Sequence, residues 1–168
     1  MLDARTASRG QDEMEDVLAT QLLQLSQLIR KARQQWLRER PDVPIGMVSI
    51  LKLIDEIGTG TGGCCHAKDL AERSGLDPST VSRAVAAAVG QGLVERRVDR
   101  ADRRASALAL TPRGHELLAA AGVWFGALIE RALADWPATD VERVSGDLAR
   151  FSAALSGVLE THQQDAAR

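Results

Sequence analysis

The stretch from His66 to Thr111 constrains this chain more than any other. It reads as two short helices joined by a tight turn, followed by two strands joined by a basic loop. The first helix is expected over Ala67–Arg73, with Leu70 and Ala71 turned inward. Ser74-Gly75-Leu76 supplies the turn, because Gly75 takes φ > 0 without the steric cost a side chain would add. Asp77 stands where a cap is needed, and Pro78 opens the second helix at a position whose N–H has no partner to lose. Val81, Ala84, Val85 and Ala88 give that helix, about 77–90, an apolar stripe at spacings of three and four. A small residue, a glycine turn and a branched anchor in this order are what two steeply crossing helices require. The unit is a helix-turn-helix.

Ser79, Thr80, Ser82 and Arg83 lie mostly off the apolar stripe, at the N-terminal end of the second helix. Hydroxyls and arginine reach base edges and phosphates in a major groove, and a helix N-terminus favours phosphate as well. Leu93–Arg97 reads as a strand and Ser106–Leu110 as its antiparallel partner. Between 95 and 104 stand five arginines against Glu95, Asp99 and Asp102, a net charge of +2 on a hairpin tip. Such a tip, residues 98–105, is suited to a DNA minor groove, with Arg100, Arg103 and Arg104 supplying the charge.

Five pieces of the chain then stand in a familiar order and spacing. They are Leu70-Ala71-Glu72-Arg73, Ser79-Thr80-Val81-Ser82-Arg83, Gly92-Leu93-Val94-Glu95-Arg96, Asp102-Arg103-Arg104 and Leu110-Thr111-Pro112-Arg113-Gly114. In this the chain resembles the MarR family of bacterial winged-helix transcription regulators, over roughly residues 45–120. The resemblance implies a homodimer on a pseudo-palindromic operator, acting as a repressor and released by a small ligand or by thiol oxidation. It also implies that Arg104 enters the minor groove while Asp102 holds the wing in shape.

The implied fold class is mainly α with a small β-hairpin wing. Residues 1–11 carry no periodicity and are expected to form a disordered tail. Residues 12–44 hold a long amphipathic helix, about 40 Å at 1.5 Å per residue, ended by Pro41 and Pro44. Residues 45–111 form the winged helix-turn-helix domain, beginning with a helix over Ile45–Ile57 that turns Val48, Leu51, Ile54 and Ile57 inward, with Met47 and Ile50 flanking. Residues 112–162 carry two more long helices, and 163–168 form a tail. Thr139 or Asp140 is placed to cap the last helix. Its apolar positions Val141, Val144, Leu148, Phe151, Leu155 and Val158 step 3-4-3-4-3, a heptad-like seam. Three helices of a winged unit enclose little core, so surplus apolar helix faces imply a second copy.

Composition narrows the function. Hydrophobic residues make up 45% of the 168, aromatics only 3%, and the net charge is −2. The core is therefore aliphatic and helix-favouring, and any DNA affinity rests on a local positive face rather than on the whole chain. No apolar run of membrane length and no signal-peptide pattern occurs, so a soluble, cytoplasmic protein is expected, without a membrane partner. The glycine-rich run Gly58–Gly63 lacks the lysine and the preceding strand of a phosphate-binding loop. No triad, paired carboxylates or cofactor loop is in place, so neither an enzyme nor a cofactor is expected.

An effector pocket of the kind the family resemblance implies falls on Trp36, Met47 and Trp124, where Arg33 or Arg40 would suit a small anionic or aromatic ligand. Cys64-Cys65-His66 offers an alternative, a thiol- or metal-responsive regulator. Its structural reading is a buried short strand followed by a cap with Asp69 three residues on. Two thiols and one histidine in a row do not make a four-ligand zinc site, so no metal is expected. A winged helix used only as a protein-interaction module is the remaining alternative, and an arginine-rich wing argues against it.

Overall fold

The structure, a computed structural model, describes residues 3–60, 65–98 and 106–166, with side chains described for 14–60, 65–98 and 106–162. Six helices and one hairpin follow in the order α1 (Asp3–Arg38), α2 (Met47–Thr59), α3 (Ala67–Ser74), α4 (Pro78–Gly90), β1 (Val94–Val98), β2 (Ser106–Leu110), α5 (Pro112–Ala132) and α6 (Ala138–Ala166). The chain divides into two compact units, Met1–Gly122 and Val123–Arg168, the boundary falling within α5. The fold is mainly α with a two-stranded antiparallel hairpin, as the sequence implies.

The core of the first unit is made by α2, α3, α4 and the hairpin. Leu51 and Ile54 of α2, Leu70 of α3, and Val81, Val85 and Ala88 of α4 are fully or almost fully buried, together with Leu93, Val94, Leu108 and Leu110. Helix α2 starts two residues later than expected, after a turn in which Gly46 takes φ 86°. Its packing against β2, α3 and α4 selects the buried face: Met47 and Ile50 join the core, while Val48 and Ile57 are half-buried. Gly58 and Thr59 complete its last turn, where Thr59 Oγ1 donates to the Asp55 carbonyl at 2.8 Å.

The turn between α3 and α4 is built as the sequence predicts. Gly75 has φ 64°, and its N–H donates to the Ala71 carbonyl at 3.1 Å. Asp77 holds the N-cap position of α4 and Pro78 follows, but the Asp77 side chain makes no capping hydrogen bond. Its backbone carbonyl alone receives the first helical N–H groups, from Thr80 and Val81.

The hairpin pairs Val94 with Leu110 and Val98 with Ser106. Strand β1 begins at Val94, one residue later than expected, because Gly92 (φ 67°) and Leu93 still belong to the turn out of α4. β1 buries only Val94, whereas β2 buries Ala107, Leu108 and Leu110. Strand β2 does not alternate simply, because it is covered on more than one side. It packs on α2 and also accepts an isolated bridge from Cys65, where Leu108 N–H donates to the Cys65 carbonyl at 2.7 Å.

Two termini depart from expectation. Helix α1 begins at Asp3, so residues 3–11 continue the helix rather than form an irregular tail; Ala, Arg and Gln there are good helix formers. Helix α6 runs on to Ala166, past the expected end at 162. Pro137, not Thr139 or Asp140, precedes its first residue and accepts the Asp140 and Val141 N–H groups. Asp140 instead lies in the first turn, where its Oδ1 is 2.9 Å from Arg143 Nη2.

Candidate nucleic-acid interface

Helix α4 has two opposed faces. Val81, Val85 and Ala88 are sealed against the core, while Ser79, Thr80, Ser82 and Arg83 are all exposed. The fold thus presents the four sequence-predicted residues together on the first two turns of one helix. Arg83 Nε donates to the Ser79 carbonyl one turn earlier, at 3.2 Å, so the side chain lies along the helix. Of the predicted wing residues, Arg100, Asp102, Arg103 and Arg104 lie outside the described residues. At the base of the wing, Arg97 Nε donates to Glu95 Oε1 at 2.7 Å, and Arg96 is exposed on the intervening position of β1. Lys68 sits 3.5 Å from Glu72 on the outer face of α3, a solvated pair.

The hairpin is fastened to α5 by residues that sequence reasoning recognised as a motif without giving them work. Thr111 N–H donates to the Leu93 carbonyl at 3.0 Å. Thr111 Oγ1 donates to the Gly92 carbonyl at 2.7 Å and receives the Gly114 N–H at 3.1 Å, so it caps α5 and ties it to the turn before β1. Gly114 is buried against the Leu93 carbonyl. Arg113 Nη1 donates to the Gln91 carbonyl at 3.0 Å, and Gln91 Nε2 to the Asp42 carbonyl at 2.9 Å. The end of α4, the loop before α2 and the start of α5 are thereby joined. The signal was present in Thr111-Pro112-Arg113-Gly114, but the partners, eighteen or more residues away, were not.

Cys65 is fully buried beneath β2. Burial, reinforced by the Asp69 carboxylate and opposed by Arg73, raises its thiol from 9.0 to about 11. The thiol is therefore protonated at neutral pH, the unreactive form. His66 N–H donates to Asp69 Oδ2 at 2.8 Å, the expected cap, and the His66 ring Nδ1 lies 3.3 Å from the Ser106 carbonyl. Cys64 lies outside the described residues. Among the described residues no group of three or more His, Cys, Asp or Glu side chains is arranged to hold a metal ion.

Trp36 and Met47 are each 3% exposed and form part of the core of the first unit. Trp124 is half-buried in the second unit. The Arg40 guanidinium stacks on Trp36, its Cζ 4.4 Å from the ring centroid. Trp36 Nε1 and Arg40 Nη1 are buried donors without a hydrogen-bond acceptor among the described residues, although Glu39 Oε2 lies 3.7 Å from Arg40 Nη1. Arg33 is engaged elsewhere, donating to Ser49 Oγ at 3.1 Å.

Residues 51–105 match the sequence model of the MarR family. Over those residues the chain is similar to the MarR family of winged-helix proteins. The matched span runs from mid-α2 across the helix-turn-helix and β1 to the residue before β2. Solved structures extend the likeness in fold to most of the chain. A MarR family protein from Bacillus stearothermophilus is 17% identical with a TM-score of 0.70, over 89% of this chain and 97% of its own. FabT of Streptococcus pneumoniae, solved in complex with DNA, is 16% identical with a TM-score of 0.69, over 84% of this chain and 96% of its own. MepR of S. aureus, solved with ethidium bromide, is 18% identical with a TM-score of 0.58, over 81% and 95%. No curated protein sequence matches the chain.

Proposed function

We propose that this chain is a MarR-family regulator, a sequence-specific DNA-binding repressor of transcription that grips a pseudo-palindromic operator as a homodimer. The observation that carries the reading is the exposed face of α4. Within the stretch similar to the MarR family, it sets three hydroxyls and an arginine outward from a fully buried stripe. The protein acts by binding rather than by catalysis, in the cytoplasm where its DNA lies. Ser79, Thr80, Ser82 and Arg83 meet a major groove, and Arg100, Arg103 and Arg104 meet the flanking minor groove with Asp102 shaping the wing. FabT, similar in fold and crystallised in complex with DNA, supports DNA as the partner.

The homodimer is supported by apolar faces with nothing described upon them. On α1, Val17 is 59% and Leu28 61% exposed; on α6, Leu148 is 44% and Val158 53% exposed. Repeated large side chains at helical spacing mark an interface rather than scattered surface residues. Among the described residues no helix is long and apolar enough to cross a membrane, so these stripes do not serve as a span. A small-molecule effector is supported by the unmatched donors on Trp36 and Arg40, which suit an acceptor-bearing anionic or aromatic compound, and by MepR's structure with ethidium bromide. The thiol-responsive alternative loses Cys65, which is buried and protonated.

Titration of the protein against the duplex upstream of its own coding region, by fluorescence anisotropy across a salt series, tests this. Specific binding is expected, with log K falling by about 0.9 per phosphate contact per unit of log salt. Equal binding to an unrelated duplex would refute sequence specificity.

A further inference from the structure

Resting on the DNA-binding reading above, we infer that Arg83 is the principal base-discriminating residue and that each operator half-site presents it with a guanine. The outward ridge of α4, opposite Val81, Val85 and Ala88, is Ser79, Arg83, Ala86 and Gly90, stepping four, three and four. Ala86, Ala87 and Gly90 are exposed and carry at most a methyl group. Arg83 is therefore the only long side chain along this ridge. Past it the helix is smooth, so the backbone approaches the groove floor closely, and Ala86 and Ala87 meet it with methyl surface. That surface matches a thymine 5-methyl group and offers no hydrogen bond to any other base edge.

The arginine is prepared for a two-pronged contact. Its Nε is held on the Ser79 carbonyl at 3.2 Å. This holds the side chain along the ridge through Nε and leaves Nη1 and Nη2 without a hydrogen-bond partner among the described residues. Guanine O6 and N7 form the acceptor pair in the major groove that suits a guanidinium fork, and arginine on guanine is the commonest base-specific contact. An arginine held in place by its own helix loses less side-chain freedom on binding than a free one. Ser79 serves as the positioning residue through its backbone carbonyl, which any residue at 79 would supply.

The test is selection of bound duplexes from a randomised pool by the full-length protein, its Arg83→Ala variant and its Arg83→Lys variant. Arg83 is exposed, so both variants should fold, and thermal melts confirm it. The wild type is expected to select a guanine at one symmetric position per half-site, with thymine favoured beside it. Arg83→Ala should erase the guanine preference alone and weaken the selected operator by about 5- to 150-fold per half-site contact. Arg83→Lys keeps the charge and loses the fork, so it should keep the salt dependence and lose the guanine preference. The inference is overturned if either variant weakens every duplex uniformly while the selected sequence stays the same, since Arg83 would then be a phosphate contact. A wild type that selects no sequence at all would overturn the underlying DNA-binding reading instead.

Discussion

Gly114 shows how one atom can fix a joint. A Cβ built on it would collide with the Leu93 carbonyl oxygen, a backbone atom that cannot step aside. Gly114→Ala is expected to lower stability by about 1–3 kcal/mol, the cost of forcing an extra methyl into a packed site. Urea denaturation checks it: the midpoint should fall with the slope unchanged. Cys65 gives a prediction with a pH sign. Its thiol ionises at about 11 in the fold and near 9.0 when unfolded. The unfolded chain therefore loses its proton first. Stability from this group is intact below pH 9 and is lost between pH 9 and 11, at about 1.4 kcal/mol per pH unit. Cys65→Ala should remove that part of the alkaline loss, which denaturation at pH 8 and pH 10 would reveal. A wild type and variant that lose stability in parallel over this range would contradict it.

At the level of elements, the helix-turn-helix was legible because every signal in it is local. Gly75, Asp77, Pro78 and the Val81–Val85–Ala88 stripe decide their own conformation from neighbours three or four residues away. The true inward face of α2 was not, because Met47 and Ile50 on one side and Val48 and Ile57 on the other both step at helical spacing with Leu51 and Ile54, and only packing on β2, α3 and α4 chooses between them. The exposed quartet on α4 followed from the stripe opposite it. The anchoring of the hairpin did not, because Thr111, Arg113 and Gln91 act on carbonyls distant in sequence. Thr111→Ala removes the α5 cap and its bond to Gly92 together, and should cost about 1–2 kcal/mol. The same urea measurement reads it, and a change under a few tenths of a kcal/mol would mean that the Thr111 N–H bond to Leu93 suffices.

At the level of the whole molecule, the proposed homodimer rests on apolar faces of the long helices α1 and α6. The seam on α6 steps Val144, Leu148, Leu155 and Val158 along one exposed face, and α1 carries its own stripe from Met14 to Leu28. Leu148→Glu combined with Leu155→Glu places charges in that seam and should convert a dimer to a monomer, read as a halved mass in light scattering. A mass unchanged by both substitutions, or a monomeric wild type, would remove the seam from the assembly. Operator affinity should fall with the dimer, since each subunit supplies one α4.

The most direct test of DNA recognition by a paired winged helix is a hydroxyl-radical footprint of the protein on its selected operator. Two α4 helices in successive major grooves predict two protected patches about 10 base pairs, or 34–36 Å, apart on one face of the duplex, with the wings extending protection outward. A single protected patch, or protection without periodicity, would contradict the account.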